Sequence, residues 1–195
     1  NARKKRYEVF KRYIKPETAL LTAHHQSDQA ETVLLQLLQG AGTGGLASMP
    51  KERVFADGLH LRPFLELSKD ILRDYALNNN LTWIEDESNQ DPHYARNYLR
   101  HHIMPLLTKR WPSAETLIAR SAAHCAQTLH LTQALAEQDL QQVIVAGHSQ
   151  QINWQLLQTY STARQINVLR YWIKQQRQHL PNQAKLHEMM TQFQT

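Results

Sequence analysis

The stretch Thr18–Thr32, with the sequence TALLTAHHQSDQAET, decides which fold the chain adopts. Its first part, Thr18–His24, is a short apolar run between a proline and a polar cluster, and it predicts a buried strand. A helix is predicted to begin at Ser27 or Asp28 and to continue to about Gln39. Strands that lead into helices build open α/β sheets, and such sheets place ligands at the carboxyl ends of their strands.

Four polar side chains, those of His24, His25, Asp28 and Glu31, surround the predicted start of this helix. Two carboxylates one turn apart suit Mg²⁺ or an ammonium group. The alternative is a capping box, in which Asp28 caps the helix and Glu31 reaches back. That alternative accounts for the carboxylates but leaves the two adjacent histidines unexplained. Zinc is not expected, because the spacing is not H-E-x-x-H and Cys125 is the chain's single cysteine.

Four of the six glycines lie between positions 40 and 45, in the sequence GAGTGGL. Gly40, Gly42 and Gly45 match G-x-G-x-x-G formally, but the match follows a predicted helix instead of a strand, so it is not a dinucleotide fingerprint. The cluster predicts a backbone that needs positive φ angles or close approach to another group.

A second polar cluster, WIEDESNQD at Trp83–Asp91, precedes another predicted helix. Arg96 and Arg100 are four residues apart and share one face of that helix. A guanidinium group suits bidentate contact with phosphate or carboxylate. The alternative is that these arginines form salt bridges with Asp91 or Glu87.

The net charge of +5 comes from 22 basic and 17 acidic residues, and its whole excess lies in residues 1–15, which alone carry +6. Such a cluster indicates a polyanionic partner, most simply nucleic acid, although a solvated helix face is the alternative. The composition, 42% hydrophobic and 20% charged, is typical of globular proteins. No apolar run is long enough to span a membrane. A single cysteine fits a reducing, cytoplasmic setting.

The order of the predicted elements indicates an α/β part over residues 1–108 and an all-helical part over residues 109–195. Asp57-Gly58 predicts a hairpin between two short extended runs, and Ser68 predicts a helix cap. Further helices are predicted over the ranges 2–14, 69–79, 113–140 and 161–178, and after Pro181.

Taken together, these motifs resemble the tRNA(Ile)-lysidine synthetase family. Its H-H-x-x-D-Q-x-E-T element matches residues 24–32, its glycine loop matches residues 40–49, and its W-x-E-D-x-[ST]-N-x-D-x-x-Y-x-R-N-x-L-R element matches residues 83–100. The family's R-P and A-R-x-x-R-Y elements match residues 62–63 and 2–7. One departure is Gln39, where the family usually has arginine.

The resemblance implies a Rossmann-like, N-type ATP pyrophosphatase (PP-loop) domain followed by the helical part, which resembles the family's tRNA-binding domain. It implies that ATP adenylates C2 of the wobble cytidine of tRNA(Ile) with a CAU anticodon, and that L-lysine then displaces AMP. It assigns catalytic roles to His24, His25, Asp28, Glu31 and Arg96, nucleotide binding to Arg3, Arg6, Gly40, Gly42 and Gly45, and Mg²⁺ to Asp28.

The family's S-G-G-x-D-S phosphate loop is absent from the sequence. We therefore expect an internal piece that lacks this loop and the C-terminal domain and is inactive alone. The resemblance also points to a homodimer in some members. The alternatives are a non-catalytic tRNA-binding module and a tRNA-thiolating relative of the same fold; the single cysteine argues against the latter.

Overall fold

The computed structural model describes residues 2–84, 91–176, 181 and 183–192. The chain forms two compact units, Asn1–Gln127 and Thr128–Thr195, and each is described by itself. This division lies nineteen residues beyond the predicted boundary between residues 108 and 109, which remains a prediction. Within the described residues, no helix combines the length and apolar character needed to cross a membrane.

The first unit combines helices with a three-stranded sheet. Its helices are α1 (Ala2–Lys11), α2 (Gln26–Leu38), α3 (Thr43–Leu46), α4 (Lys69–Asn78), α5 (Ala95–Tyr98), α6 (Met104–Arg110) and the beginning of α7 (Ala114–Val143). Its strands are β1 (Ala19–Leu21), β2 (Glu52–Phe55) and β3 (Gly58–Leu61), in the order β1-β3-β2.

Strand β1 runs parallel to β3, with Leu20 opposite His60, and β2 runs antiparallel to β3. A parallel pair requires a crossover connection, which α2 supplies here as part of the chain between the two strands. The α/β class is therefore confirmed. The prediction of a buried strand over Thr18–His24 is wrong in length and burial, because β1 has three residues and Leu21 is 64% exposed. Beyond Leu21 the chain leaves the sheet, after Thr22 donates its N–H to the Leu61 carbonyl.

The predicted hairpin between β2 and β3 is confirmed, but its turn is formed by Ala56 and Asp57. Ala56 has a φ of 52°, and Gly58 is already the first residue of β3. A Cβ on Gly58 would lie 2.2 Å from the Thr18 carbonyl oxygen and 2.8 Å from that of Lys15. This glycine is therefore required by close packing against the backbone that precedes β1, and the turn itself does not explain it.

We expect Gly58→Ala to lower the free energy of unfolding by about 1–3 kcal/mol, because the new methyl group overlaps backbone atoms that cannot move away cheaply. Gly42→Ala is the matched control, since a Cβ added at Gly42 would meet nothing within 4 Å and the φ of this residue is negative. Urea denaturation of both variants measures the difference. Equal stability of the two variants would contradict the packing explanation.

The predicted helix starts are close to those observed. Helix α2 begins at Gln26, with His25 as the N-cap, one residue before the earlier of the two predicted starts. Ser68 caps α4 as predicted, and its Oγ accepts a hydrogen bond from the Ile71 N–H at 3.3 Å. The helix predicted after the polar cluster at Trp83–Asp91 is α5, which begins at Ala95.

A π-helical turn, Leu99–Ile103, joins α5 to α6 and gives the 95–110 segment its wider middle turn. Pro105 lies at the start of α6. Proline has no backbone N–H to donate to the carbonyl one turn earlier, and its ring clashes with that carbonyl. Both effects favour a wider turn at this point. The π turn contains Arg100, whose side chain reaches Glu31 on α2.

The described residues of the second unit form the rest of α7, a two-stranded hairpin and three helices: β4 (Ile144–Val145), β5 (His148–Ile152), α8 (Trp154–Gln158), α9 (Thr162–Gln175) and α10 (Gln183–Gln192). The predicted helical character of this region is confirmed, with the short hairpin as an addition. Its core is apolar and consists of Leu140, Val143, Leu157, Val168, Leu169, Ile173, Leu186 and Met190. Asp139 forms a bidentate ion pair with Arg164 beside this core.

Candidate functional site

A buried carboxylate, that of Glu31, joins α2 to the 95–110 segment. Only 2% of its side chain is exposed. Arg100 donates from Nε to Oε1 at 2.6 Å and from Nη2 to Oε2 at 2.9 Å, which is the bidentate geometry that suits a guanidinium and a carboxylate. Arg96 adds a longer ion pair, with its Nε 3.5 Å from Oε2. Glu31 is therefore an ion-pair partner within the fold.

The Asp28 carboxylate lies one turn earlier on α2 and is more accessible, with 14% of its side chain exposed. Its Oδ1 accepts a hydrogen bond from Arg100 Nη2 at 3.1 Å, and its Oδ2 accepts one from the backbone N–H of His25 at 3.0 Å. Asp28 is thus the third residue of the helix, and His25 is the N-cap. A capping box is therefore present, but its residues differ from the predicted ones: His25 is the cap and Asp28 reaches back, whereas Glu31 pairs with arginines.

Arg96 also donates from Nη2 to the Thr32 hydroxyl at 2.7 Å. The alternative salt bridge from these arginines to Asp91 is not formed, because Asp91 pairs with His93 at 2.8 Å. Glu87 and the other residues of the predicted cluster at positions 85–90 lie outside the described residues. The two arginines therefore turn towards α2.

The pKa values of this cluster reflect burial and pairing together. Burial raises the pKa of Glu31, and the hydrogen bond from Arg100 opposes that effect. The same hydrogen bond raises the pKa of Arg100. Removal of Arg100 would leave the buried Glu31 carboxylate with only the longer Arg96 ion pair, and the loss of a partner from a buried charge typically costs several kcal/mol.

A chain of hydrogen bonds runs beneath the two adjacent histidines. His24 Nδ1 lies 2.8 Å from the Thr22 hydroxyl, and the same hydroxyl lies 2.9 Å from His60 Nε2. On the far side of the His60 ring, Arg53 Nε and Arg62 Nη2 each lie 3.3 Å from Nδ1. His60 is fully buried and Arg62 is 3% exposed, so this series of hydrogen bonds begins in the protein interior.

Burial, reinforced by the positive charges of Arg62 and Arg53, lowers the pKa of His60 to about 4. Burial also lowers the pKa of His24, an effect that Asp28 opposes and that arginines reinforce. Burial lowers the pKa of Arg62 as well. Both histidine rings are therefore neutral near pH 7.

The low pKa of His60 makes stability depend on pH. The unfolded chain takes up a proton at His60 near pH 6.5, whereas the folded chain does so only near pH 4. The unfolded state binds more protons in this interval, so stability falls as the pH falls through it. Since one pKa unit corresponds to about 1.36 kcal/mol, the loss has an upper limit of roughly 3 kcal/mol.

We expect the unmodified chain to lose more stability than His60→Gln between pH 6.5 and pH 4, by up to about 3 kcal/mol. Urea denaturation at several pH values measures this difference, and His130→Gln is the control because His130 is exposed on α7. A His60→Gln profile parallel to that of the unmodified chain would show that His60 carries no such linkage.

His25 has a different environment. Its Nε2 lies 3.5 Å from Asp28 Oδ2, and its Nδ1 is buried with no hydrogen-bond partner among the described residues. The other predicted polar residues of the strand–helix junction lie around it, so the structure brings together His24, His25, Asp28, Glu31 and Arg96.

The predicted nucleotide-binding residues are spread more widely. Arg3 lines a cavity of about 320 Å³ together with Lys4, Tyr7 and Arg53, and its guanidinium lies over the Tyr7 ring at 5.3 Å. Arg6 is exposed and does not line this cavity. Three basic residues around one aromatic ring form a place where an anion is attracted.

In the glycine loop, two positions have a structural reason to be glycine. Gly40 has a φ of +69° at the end of α2. A Cβ on Gly45 would lie 2.6 Å from the Ala41 Cβ and 2.8 Å from Gln36 Oε1. Gly42 shows neither feature, and its predicted role in nucleotide binding remains a prediction with those of Gly40 and Gly45.

The predicted Mg²⁺ ligand does not form a metal site with its neighbours. Within the described part of the chain, no group of three or more His, Cys, Asp or Glu side chains is arranged to hold a metal ion. Both oxygens of Asp28 already accept hydrogen bonds, and Glu31 is engaged by Arg100. These residues alone therefore do not fit Mg²⁺.

Sequence reasoning identified Arg100 only as a guanidinium suited to phosphate or carboxylate and assigned nothing to Thr22 and His60, although the structure places all three at the site. The four-residue spacing from Arg96 was a usable signal for Arg100, because both residues share a helix face. Thr22 and His60 had no such signal, since they are brought together by the pairing of β1 with β3.

Comparison with known proteins gives two family matches. The PP-loop domain model matches residues 1–107, and the TilS substrate binding domain model matches residues 153–195. A tRNA(Ile)-lysidine synthase of Coxiella burnetii is 45% identical over 188 residues, which is 96% of this chain and 41% of the relative. The protein of the same name from Proteus mirabilis is 43% identical over 185 residues, covering 95% of this chain and 42% of the relative. The chain thus spans less than half the length of these relatives.

Proposed function

The chain belongs to the PP-loop domain family, and we propose that it forms the core of a tRNA(Ile)-lysidine synthase. The observation that carries the proposal is identity of 43–45% to proteins of that name over 95–96% of the chain. ATP would transfer its adenylyl group to the C2 oxygen of the wobble cytidine and release pyrophosphate. An amino group of lysine would then attack C2, and AMP would leave with the oxygen.

The two acidic residues would have separate tasks. Glu31 is buried and bound bidentately by Arg100, so it holds α2 against the 95–110 segment. Asp28 is more accessible, and a carboxylate oxygen has lone pairs for more than one donor. We therefore assign binding of a lysine ammonium group to Asp28. No step is assigned to Mg²⁺.

Positive charge would serve the adenylation step. Arg96 contacts Glu31 and Thr32 on α2, and Arg3 lines the cavity beside Tyr7 and Arg53. Phosphate charge develops during transfer of the adenylyl group, and fixed guanidinium groups stabilise such charge. Arg6, which is exposed, would contact phosphate only at the surface.

We also propose a catalytic region over residues 1–108 and a tRNA-binding region over residues 109–195. The PP-loop match ends at residue 107 and the substrate-binding match lies in residues 153–195, which supports this division. The reaction is assigned to the cytoplasm and the partners are tRNA(Ile) with a CAU anticodon, ATP and L-lysine. A homodimer remains a prediction.

We expect Asp28→Asn to lower lysidine formation at least tenfold in the full-length gene product, because a neutral amide binds an ammonium group poorly. Asp70→Asn is the matched control, since Asp70 is an exposed carboxylate in the first turn of α4. The measurement is ATP- and lysine-dependent modification of a CAU-anticodon tRNA(Ile) transcript.

Near-normal turnover of Asp28→Asn would remove Asp28 from the lysine site. If the unmodified gene product binds the transcript but forms no lysidine, a tRNA-binding module is the correct interpretation. ATP-dependent sulfur transfer would instead indicate a thiolating enzyme.

We expect Arg3→Ala to weaken binding of a phosphate-bearing ligand. We also expect the slope of log binding constant against log salt concentration for tRNA to become shallower by about one, as for the loss of one phosphate contact. Lys11→Ala is the control, because Lys11 is exposed at the other end of α1 and does not line the cavity. Filter binding of tRNA over a salt series and a separate ATP titration distinguish the two phosphate sources. Equal effects of both substitutions would exclude a specific role for the cavity.

A further inference from the structure

In the series of hydrogen bonds that ends at His24, the donor and the acceptor of each bond can be assigned, starting from Arg53 and Arg62. A guanidinium group donates hydrogen bonds and accepts none. Arg53 Nε and Arg62 Nη2 both approach His60 Nδ1 at 3.3 Å, so Nδ1 is the unprotonated nitrogen of that ring. The neutral His60 ring therefore carries its proton on Nε2.

The next two bonds follow from this assignment. His60 Nε2–H donates to the Thr22 hydroxyl oxygen at 2.9 Å. Within the described part of the chain, the remaining side-chain partner of that hydroxyl is His24 Nδ1, at 2.8 Å. The Thr22 O–H therefore donates to His24 Nδ1, which acts as an acceptor and carries no proton.

We propose that Thr22 and His60 are positioning residues that hold His24 in the tautomer with its proton on Nε2, so that His24 presents an N–H donor to the ligand at the strand–helix junction. In this form His24 stabilises negative charge on a phosphate or carbonyl oxygen and does not take up a proton. The resemblance gives His24 a catalytic role without specifying it, and the hydrogen bonds from His60 to Thr22 and from Thr22 to His24 favour a hydrogen-bond donor over a base.

The arrangement is suited to this task because it is anchored at both ends. His60 is fully buried with two guanidinium groups at its Nδ1, and Thr22 is held by its backbone N–H to the Leu61 carbonyl at 3.1 Å. Side chains whose partners are themselves fixed keep a tautomer that solvent would otherwise exchange. The donor direction is thus set by the buried His60 and by the pairing of β1 with β3.

The first test measures the tautomer directly in the chain. Proton–nitrogen correlation spectra of the imidazole rings distinguish protonated from unprotonated ring nitrogens, and His24→Gln identifies the His24 signals among the eleven histidines. At pH 7.5 we expect His24 with a protonated Nε2 and an unprotonated Nδ1. A protonated Nδ1 in the unmodified chain would overturn the proposal without any further variant.

Substitutions at Thr22 test the cause. Thr22→Val removes the hydroxyl at nearly constant volume, and we expect the His24 Nδ1 signal to move towards the average of the two tautomers. Thr22→Ser restores the donor and is expected to recover the signal of the unmodified chain. An unchanged His24 tautomer in Thr22→Val, with the fold verified by thermal unfolding, would show that Thr22 does not position it.

An activity measurement tests the role of His24 in the reaction. It rests on the proposed function, and its outcome is independent of the tautomer measured by the spectra. In the full-length gene product we expect Thr22→Val to lower kcat for lysidine formation about fivefold to tenfold with KM for lysine little changed, and Thr22→Ser to recover most of the rate. A changed tautomer with an unchanged kcat would overturn the role in the reaction. If the unmodified protein forms no lysidine, the proposed function fails, while the spectra still decide the tautomer.

Discussion

The bidentate ion pair between Glu31 and Arg100 is the interaction on which the arrangement of the site depends. It joins two segments that are sixty-nine positions apart in the chain. It also fixes where Asp28 and Arg96 lie, because both are one turn away from a member of the pair. A buried carboxylate without this partner would be expelled or protonated, and the N-terminus of α2 would lose its link to the 95–110 segment.

Much of the local structure could be predicted because short-range chemistry determines it. The Ser68 cap, the hairpin between β2 and β3 and the start of α2 follow from residue types within a few positions of each other. The burial of Thr18–His24 could not be predicted in the same way. An apolar run favours burial, but the packing around β1 determines how far each side chain is buried. Leu21 is largely exposed.

In the candidate site, too, features set by neighbouring residues could be predicted and features set by tertiary contacts could not. His24, His25, Asp28 and Glu31 stand together in the sequence, so their proximity could be predicted. The roles of the two carboxylates could not be predicted, because they depend on Arg96 and Arg100. Arg100 lies in the π-helical turn, which the sequence does not indicate. Gly58 shows the same limit: its dipeptide with Asp57 indicated a turn, while the backbone of a distant segment supplies the actual reason for a glycine.

His60 has a consequence for the balance between stability and affinity. A carboxylate at this position would neutralise Arg53 and Arg62 and would satisfy their donors more strongly than an imidazole does. The neutral ring accepts their hydrogen bonds but leaves their charge uncancelled. This side of the sheet therefore keeps the uncancelled positive charge of two guanidinium groups, which attracts anions and repels free metal cations.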